Sequence, residues 1–212
     1  MSYQTGNLEK YTSRNPLKRA LVYRLNHKIL SVVSKVLQDP SKRYRILDAG
    51  CGEGFISMLL VKKFPNAIVT GIDQSQEALE MARRMHQIVR YRQGSIYRMP
   101  FRNHSFDLVI CTEVLEHLES PYFALKELNR VVKRGGAVLL TVPAEPWFCM
   151  GNFLVMKNVR RFGNPIDHIN HWTYRGFIKY IRTFLITSNS GCILKAWPCF
   201  PWSVALYQKL MR

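Results

Sequence analysis

The stretch Arg45-Ile46-Leu47-Asp48-Ala49-Gly50-Cys51-Gly52-Glu53-Gly54 decides the fold. An apolar strand runs into an acidic residue, then a loop with glycine at every second position, then an apolar helix from Phe55. Glycine lacks a Cβ, so such a loop permits tight turns and lets backbone amides approach a ligand closely. The amides that open the next helix have no intrahelical partners and are free to hold a carboxylate or phosphate.

The surrounding pattern alternates. A strand over about residues 44–48 precedes the loop, and the helix after it runs to Phe64, where Pro65 stops it. Residues 67–72 form a near-continuous apolar run, as a parallel strand buried on both faces requires, and the run ends in Asp73. Ser75 caps a helix expected to reach Val89, and residues 89–93 form a short third strand. Phe106–111 reads as strand 4, Ser120-Pro121 opens a helix expected to end at Gly135-Gly136, and residues 137–142 form strand 5. Residues 144–172 read as loop. A helix over residues 173–184 and two strands, 193–199 and 203–209, close the chain, the short Phe200-Pro201-Trp202 link predicting an antiparallel hairpin. Upstream, Asn15-Pro16 starts a helix to about Gln38, with Leu17, Leu21, Leu25, Ile29, Val32 and Val36 as its apolar side. This rhythm predicts an α/β fold of three layers, a Rossmann-like, mostly parallel sheet with helices on both faces. No linker divides the 212 residues, so one domain is expected, with residues 1–45 as a basic helical segment and 144–212 as the acceptor side.

The net charge of +17 sits on the flanks. Residues 1–45 carry 10 Lys/Arg against 2 Asp/Glu, and residues 151–212 carry 9 against 1, a net +8 each, whereas residues 46–150 carry only +1. That distribution points to an anionic partner, either a membrane surface or nucleic acid, or else to plain solvated faces. Five cysteines without a CxxC pair, no apolar opening run and no 18-residue apolar stretch predict reduced thiols and a cytoplasmic protein, peripheral to a membrane at most.

Open parallel sheets bind ligands beyond the carboxyl ends of their strands, where the loop, Asp73, Gly94-Ser95-Ile96 and Cys111-Thr112-Glu113 all fall. An acid ending strand 2 suits the two ribose hydroxyls of a nucleoside, but the glycines at 50, 52 and 54 do not follow the dinucleotide pattern. Residues 46–54, 71–73, 94–101 and 106–143 together resemble class I S-adenosylmethionine-dependent methyltransferases, in the pattern of the ubiquinone and menaquinone biosynthesis-type (type 11) branch. The resemblance implies a seven-stranded sheet with a C-terminal antiparallel hairpin and S-adenosyl-L-methionine as cofactor. By position, it places Asp48, Gly50 and Gly52 around the methionine part, with Cys51 and Gly54 completing the loop. Asp73 would hold the ribose, Gln74 would lie against the adenine, Ser95 and Ile96 would meet its edge, and Thr112 would line the strand-4 side. Ser95 replaces a frequent Asp and Gln74 a commonly apolar residue, so both adenine contacts are expected to be weaker than the family's.

The methyl acceptor is written elsewhere. In Glu113-Val114-Leu115-Glu116-His117, two carboxylates and an imidazole at i, i+3 and i+4 would share one side of a helical turn, a spacing usable for a metal. The segment resembles the ExxEH motif of small-RNA 2′-O-methyltransferases and ubiquinone-pathway O-methyltransferases, and it also occurs in this fold without a metal. Within Asp167-His168-Ile169-Asn170-His171-Trp172, His168 and His171 are the candidate bases, with structural or metal-ligand roles as alternatives. The aromatic stretch from Pro146 to Met156, followed by Lys157, Arg160 and Arg161, fits an interfacial segment, a lid or ordinary packing. The sequence therefore predicts a methyltransferase acting on a small, lipophilic or lipid-linked acceptor, O-methylation favoured. An RNA methyltransferase and a non-catalytic S-adenosylmethionine-binding protein are the alternatives.

Overall fold

The structure is a computed structural model, and it describes residues 11–39, 41–154, 160, 162, 165, 167–189 and 191–211. Val155, Met156, Lys157 and Arg161 of the aromatic and basic stretch lie outside the described residues.

Among the described residues, seven strands form one sheet in the order β3-β2-β1-β4-β5-β7-β6. They are β1 (Arg45–Ala49), β2 (Ile68–Asp73), β3 (Arg90–Gln93), β4 (Phe106–Thr112), β5 (Val132–Pro143), β6 (Cys192–Cys199) and β7 (Trp202–Lys209). β1 to β5 pair in parallel, while β7 runs antiparallel to both β5 and β6, which confirms the expected hairpin. The helices are α1 (Pro16–Val36), α2 (Phe55–Lys63), α3 (Gln76–Met85), α4 (Pro121–Val131), α5 (Trp147–Leu154) and α6 (Tyr174–Thr187). α4 and α6 pack on one face of the sheet with Leu125, Leu128, Phe177 and Ile181. α1 and α2 cover the other with Leu25, Ile29, Val33 and Leu60. The chain leaves β1 for β2 and β3, then returns to set β4 beside β1, so the sheet reverses its order there. A crevice at the carboxyl ends of β1 and β4 follows from that topology.

Four expectations change. The buried side of α1 is Val22, Leu25, Ile29, Val32 and Val33, whereas Leu17 is 60% exposed. The helix's first turns run past the core, so an apolar residue there has no sheet beneath it. α3 stops at Met85 rather than Val89, because His86 leaves helical geometry at φ −140°. The Gly135-Gly136 pair does not end a helix. α4 already ends at Val131, and the pair lies inside β5 where its register against β4 shifts, Phe106 facing Val132 and Leu108 facing Ala137. Gly136 approaches the Asp107 carbonyl too closely for a Cβ, and the Lys133 Nζ to Asp107 Oδ1 contact at 2.8 Å fastens the irregularity. Finally, the predicted loop after β5 holds α5, whose Cys149 N–H donates to the Glu145 carboxylate at 3.2 Å. A carboxylate at that end also suits the helix dipole.

Each fully buried Leu or Ile in the sheet contributes about 1.5–3 kcal/mol. Leu139, wholly buried against α1 and α2, is expected to cost about 2–5 kcal/mol as Leu139→Ala. Equilibrium urea unfolding checks this, the midpoint falling with an unchanged slope.

Candidate functional site

The glycine loop is fixed by backbone hydrogen bonds. Gly50 N–H and Cys51 N–H both donate to the Ile72 carbonyl, at 2.8 and 3.0 Å. Gly50 and Gly54 lie at φ +77° and +80°, and a Cβ would run into Val114 at the first and Tyr91 at the second. No side chain fits either position.

Asp48 is 1% exposed. Its Oδ2 accepts from Ser57 Oγ at 2.6 Å, but Oδ1 has no hydrogen-bond partner among the described residues. Burial pushes this carboxyl up to about 6, and the charge of Asp73 adds to the rise while Ser57 opposes it. Asp73, at the end of β2, accepts from Gly52 N–H at 2.8 Å through Oδ2 and from Ser75 N–H at 2.9 Å through Oδ1. Its carboxylate is thereby oriented before any ligand arrives.

Two cavities meet here. A small one of about 20 Å³ is lined by Asp48, Gly50, Cys51, Thr112 and Glu113, with Tyr11 closing it. Tyr11 stacks on Phe55 at 4.2 Å between ring centroids, and its hydroxyl donates to Asn26 Oδ1 at 3.1 Å. The large cleft, about 660 Å³, is within the range of ligand pockets. Gly50, Asp73, Gln74, Gly94 and Ile96 line one part of it, and Leu17, Leu21, Phe148 and Trp202 another. Ser95 is not among its lining residues, and its Oγ accepts from Tyr97 N–H at 3.2 Å within its own turn.

The structure separates the candidate bases. His168 lines the large cleft and stacks on Phe148 at 5.6 Å, whereas His171 does not line it. His171 instead holds its Nδ1 3.6 Å from Glu145 Oε1. Burial, and then the neighbouring His117, lower the His168 imidazole below its ordinary range. The expected single helical face for Glu113, Glu116 and His117 does not form. Only residues 115–117 make a 3₁₀ turn, and Glu113 sits outside it at φ +57°. What converges is Glu116, His117 and His168, whose ligand atoms lie within 4.8 Å of one another. His117 Nδ1 lies 2.9 Å from the Asp167 carbonyl, which as a donated hydrogen bond leaves Nε2 as the acceptor.

Tyr11 and Asn170 escaped the sequence reading. Asn170 Nδ2 donates to the Leu118 carbonyl at 2.6 Å, and the amides of Ile169 and Asn170 donate to the Glu116 carbonyl at 2.8 and 2.9 Å. These bonds hang residues 167–172 on the 115–118 turn. Neither residue belongs to a motif with a fixed spacing, so no signal marked them.

With this geometry in place, comparison with known proteins is informative. The family described as "Methyltransferase domain" matches residues 47–140. An uncharacterized methyltransferase of Schizosaccharomyces pombe is 40% identical over 114 residues, covering 49% of this chain and 41% of that protein. A ubiquinone biosynthesis O-methyltransferase of Alkalilimnicola ehrlichii is 39% identical over 102 residues, covering 46% and 40%. The chain thus spans about two fifths of the length of these relatives. The solved plantazolicin methyltransferase BpumL, in complex with a desmethyl analogue and S-adenosylhomocysteine, shares the fold at TM-score 0.72 and 16% identity, covering 95% of this chain and 94% of that one. Residues 47–140 thus match the type 11 methyltransferase-domain family, and these likenesses support a class I S-adenosylmethionine-dependent methyltransferase with S-adenosylmethionine as its cofactor.

The residues fit that cofactor. The orphaned Asp48 Oδ1 is a buried anion in need of a cation, and the cofactor carries an ammonium group; the oriented Asp73 carboxylate suits a diol. Because Asp48 binds its proton more tightly folded than unfolded, ionising it costs the ligand-free fold stability as pH rises from about 4 through 6. Asp48→Asn is therefore expected to raise the melting temperature at pH 7 but not at pH 4. The same change is expected to weaken cofactor binding by about tenfold to a hundredfold, the worth of ~1.5–3 kcal/mol for a charged hydrogen bond. Thermal melts at the two pH values and calorimetric titration with S-adenosylmethionine check both.

Proposed function

We propose that this class I methyltransferase moves a methyl group to a hydroxyl of a small lipophilic or lipid-linked acceptor, with His168 as the base. The observation that carries the reading is the cleft of about 660 Å³. Of the residues assigned to the cofactor, Gly50, Asp73, Gln74 and Ile96 line it, with Asp48, Cys51 and Thr112 on the small cavity beside it. Leu21, Val22, Phe148 and Trp202 give its other part an apolar wall, with His168 facing the same space. The name of the ubiquinone biosynthesis relative supports an O-methyl product on a lipophilic molecule.

S-adenosylmethionine supplies a methyl group on a positively charged sulfur. The chain's part is alignment and proton removal. Asp48 and Asp73 would hold the cofactor's two polar ends, and Gly94 and Ile96 line the part of the cleft assigned to its adenine. Leu21, Phe148 and Trp202 give the acceptor an apolar wall. Such positioning supplies much of the barrier reduction for a displacement at carbon. His168, kept neutral by its surroundings, accepts the hydroxyl proton. Glu116 and His117 beside it offer a divalent cation two further donors, an option that would lower the hydroxyl's own pKa instead.

A peripheral membrane position belongs to the same reading. α5 lines the cleft with Phe148 and Gly151, while Trp147, Met150 and Phe153 are about half exposed, and Phe200 approaches Trp147 at 6.1 Å. An exposed aromatic ridge on a chain of net charge +17 suits an anionic bilayer. No described helix is long and apolar enough to cross one. The basic flanks equally favour an RNA acceptor, the second reading.

Incubation of the protein with radiolabelled S-adenosylmethionine and total lipid or total RNA separates these. Label is expected in the lipid fraction. Label in RNA alone overturns the lipophilic reading, and label in neither supports a cofactor-binding protein without turnover. With the acceptor in hand, His168→Ala is expected to lower kcat at least a hundredfold while leaving cofactor affinity unchanged. In the parent protein, kcat/KM is expected to fall as pH drops through an imidazole pKa below the usual 6.5, since protonation removes the base.

A further inference from the structure

A second cluster stands apart from the cleft. Glu145 follows β5, Cys149 lies one turn into α5, and His171 comes from the segment before α6. Their ligand atoms all fall within 4.8 Å of one another. We propose that Glu145, Cys149 and His171 form a binding site for a thiophilic divalent cation, and that Zn²⁺ is the ion they fit.

The donor set argues for the ion. A thiolate, an imidazole and a carboxylate are the mixed sulfur, nitrogen and oxygen ligands of zinc, whereas magnesium and calcium take oxygen alone. One thiolate and one carboxylate neutralise a 2+ ion, and neutrality matters because the Glu145 side chain is only 12% exposed. Donors bonded at about 2.0–2.3 Å in a tetrahedron stand roughly 3.3–3.6 Å apart. His171 Nδ1 and Glu145 Oε1 are already at 3.6 Å, so closure asks for side-chain rotation rather than backbone movement.

The scaffold is also organised for it. Glu145 N–H donates to the Trp172 carbonyl at 2.8 Å, which holds the two ligand-bearing segments in register. The other carboxylate oxygen, Oε2, accepts from Cys149 N–H, so the carboxylate is oriented by the helix it caps. Without a cation, burial and the adjacent Glu145 push the Cys149 thiol up to about 12. Binding replaces the S–H bond with a metal–sulfur bond and releases that proton to solvent. His171, 39% exposed, opens the site to entry and leaves the fourth position to water.

The Glu116, His117 and His168 cluster contains no sulfur, which makes the two sites separable by spectroscopy. Co²⁺ added to the full-length protein is expected to give the near-ultraviolet thiolate-to-cobalt charge-transfer band, and Zn²⁺ is expected to abolish it at one equivalent. Competition against a chromophoric chelator is expected to show Zn²⁺ affinity falling at least tenfold in Cys149→Ser and in His171→Ala. His168→Ala is expected to keep the band. Absence of the band in the parent protein overturns the proposal, as does unchanged Zn²⁺ affinity in Cys149→Ser. The parent spectrum decides even if a variant folds poorly, and none of these readouts depends on methyl transfer.

Discussion

Three backbone amides tie the end of β1 to the end of β2. Gly50 and Cys51 donate to the Ile72 carbonyl and Gly52 donates to the Asp73 carboxylate. Everything on the cofactor side depends on this clamp. It aims the strand-to-helix turn, so α2 starts at Phe55, just after Gly54, and lays Ile56 and Leu60 against α1. It also delivers Ser57 to the buried Asp48 carboxylate. The clamp requires φ values that side chains reject and a backbone approach that a Cβ would block, which is why glycine recurs at 50, 52 and 54. The pocket and the core are therefore stabilised by one arrangement.

The acceptor side is assembled differently. Its wall comes from residues far apart in the chain, joined by a few hydrogen bonds. Asn170 hangs residues 167–172 on the 115–118 turn, and Glu145 N–H meets the Trp172 carbonyl from the exit of β5. Because two neighbouring elements grip the segment, its two histidines face different surroundings. His168 turns toward the cleft and His117, and His171 toward Glu145 and Cys149. Only two residues of sequence lie between a candidate base and a candidate metal ligand.

This contrast explains what was legible in the sequence. The parallel sheet, the hairpin, the loop and Asp73 rest on local patterns: apolar runs, turn residues and spacing along one strand–loop–helix unit. The misreadings arose where tertiary context prevailed. Gly135 and Gly136 look like a helix stop, yet close packing on Asp107 makes them a strand irregularity. Leu17 continues an apolar stripe but lies beyond the sheet that the stripe covers. Residues 147–154 follow Pro146, contain Gly151 and read as loop, while the capping carboxylate of Glu145 sits outside the helix. ExxEH spacing presupposes a continuous helix, and Glu113 at positive φ breaks it. Tyr11 reaches its cavity from 37 residues upstream of Asp48, a contact no periodicity encodes.

The charge distribution acquires a location once the elements are placed. The middle of the chain, with a net charge of only +1, supplies the cofactor residues. The amino-terminal +8 flank supplies α1 to the other part of the cleft, whereas α5, which starts in the middle of the chain, has no charged residue and the 167–172 segment brings Asp167 and no Lys or Arg. Lys18 itself lines that cleft, beside Leu17 and Leu21. Among the described residues Lys18 is the one Lys or Arg in the cleft's lining, which also holds Asp73, Glu113, Glu116 and Asp167, so the positive field is that of the flanks as a whole rather than of the cleft wall. A field of this kind raises the local concentration of anionic ligands and surfaces and speeds encounter. Its reach is about 8 Å at physiological salt, so it acts on molecules already near those flanks. On the reading proposed here, the apolar wall then selects within that population, charge setting how often an acceptor arrives and the cleft setting which one stays.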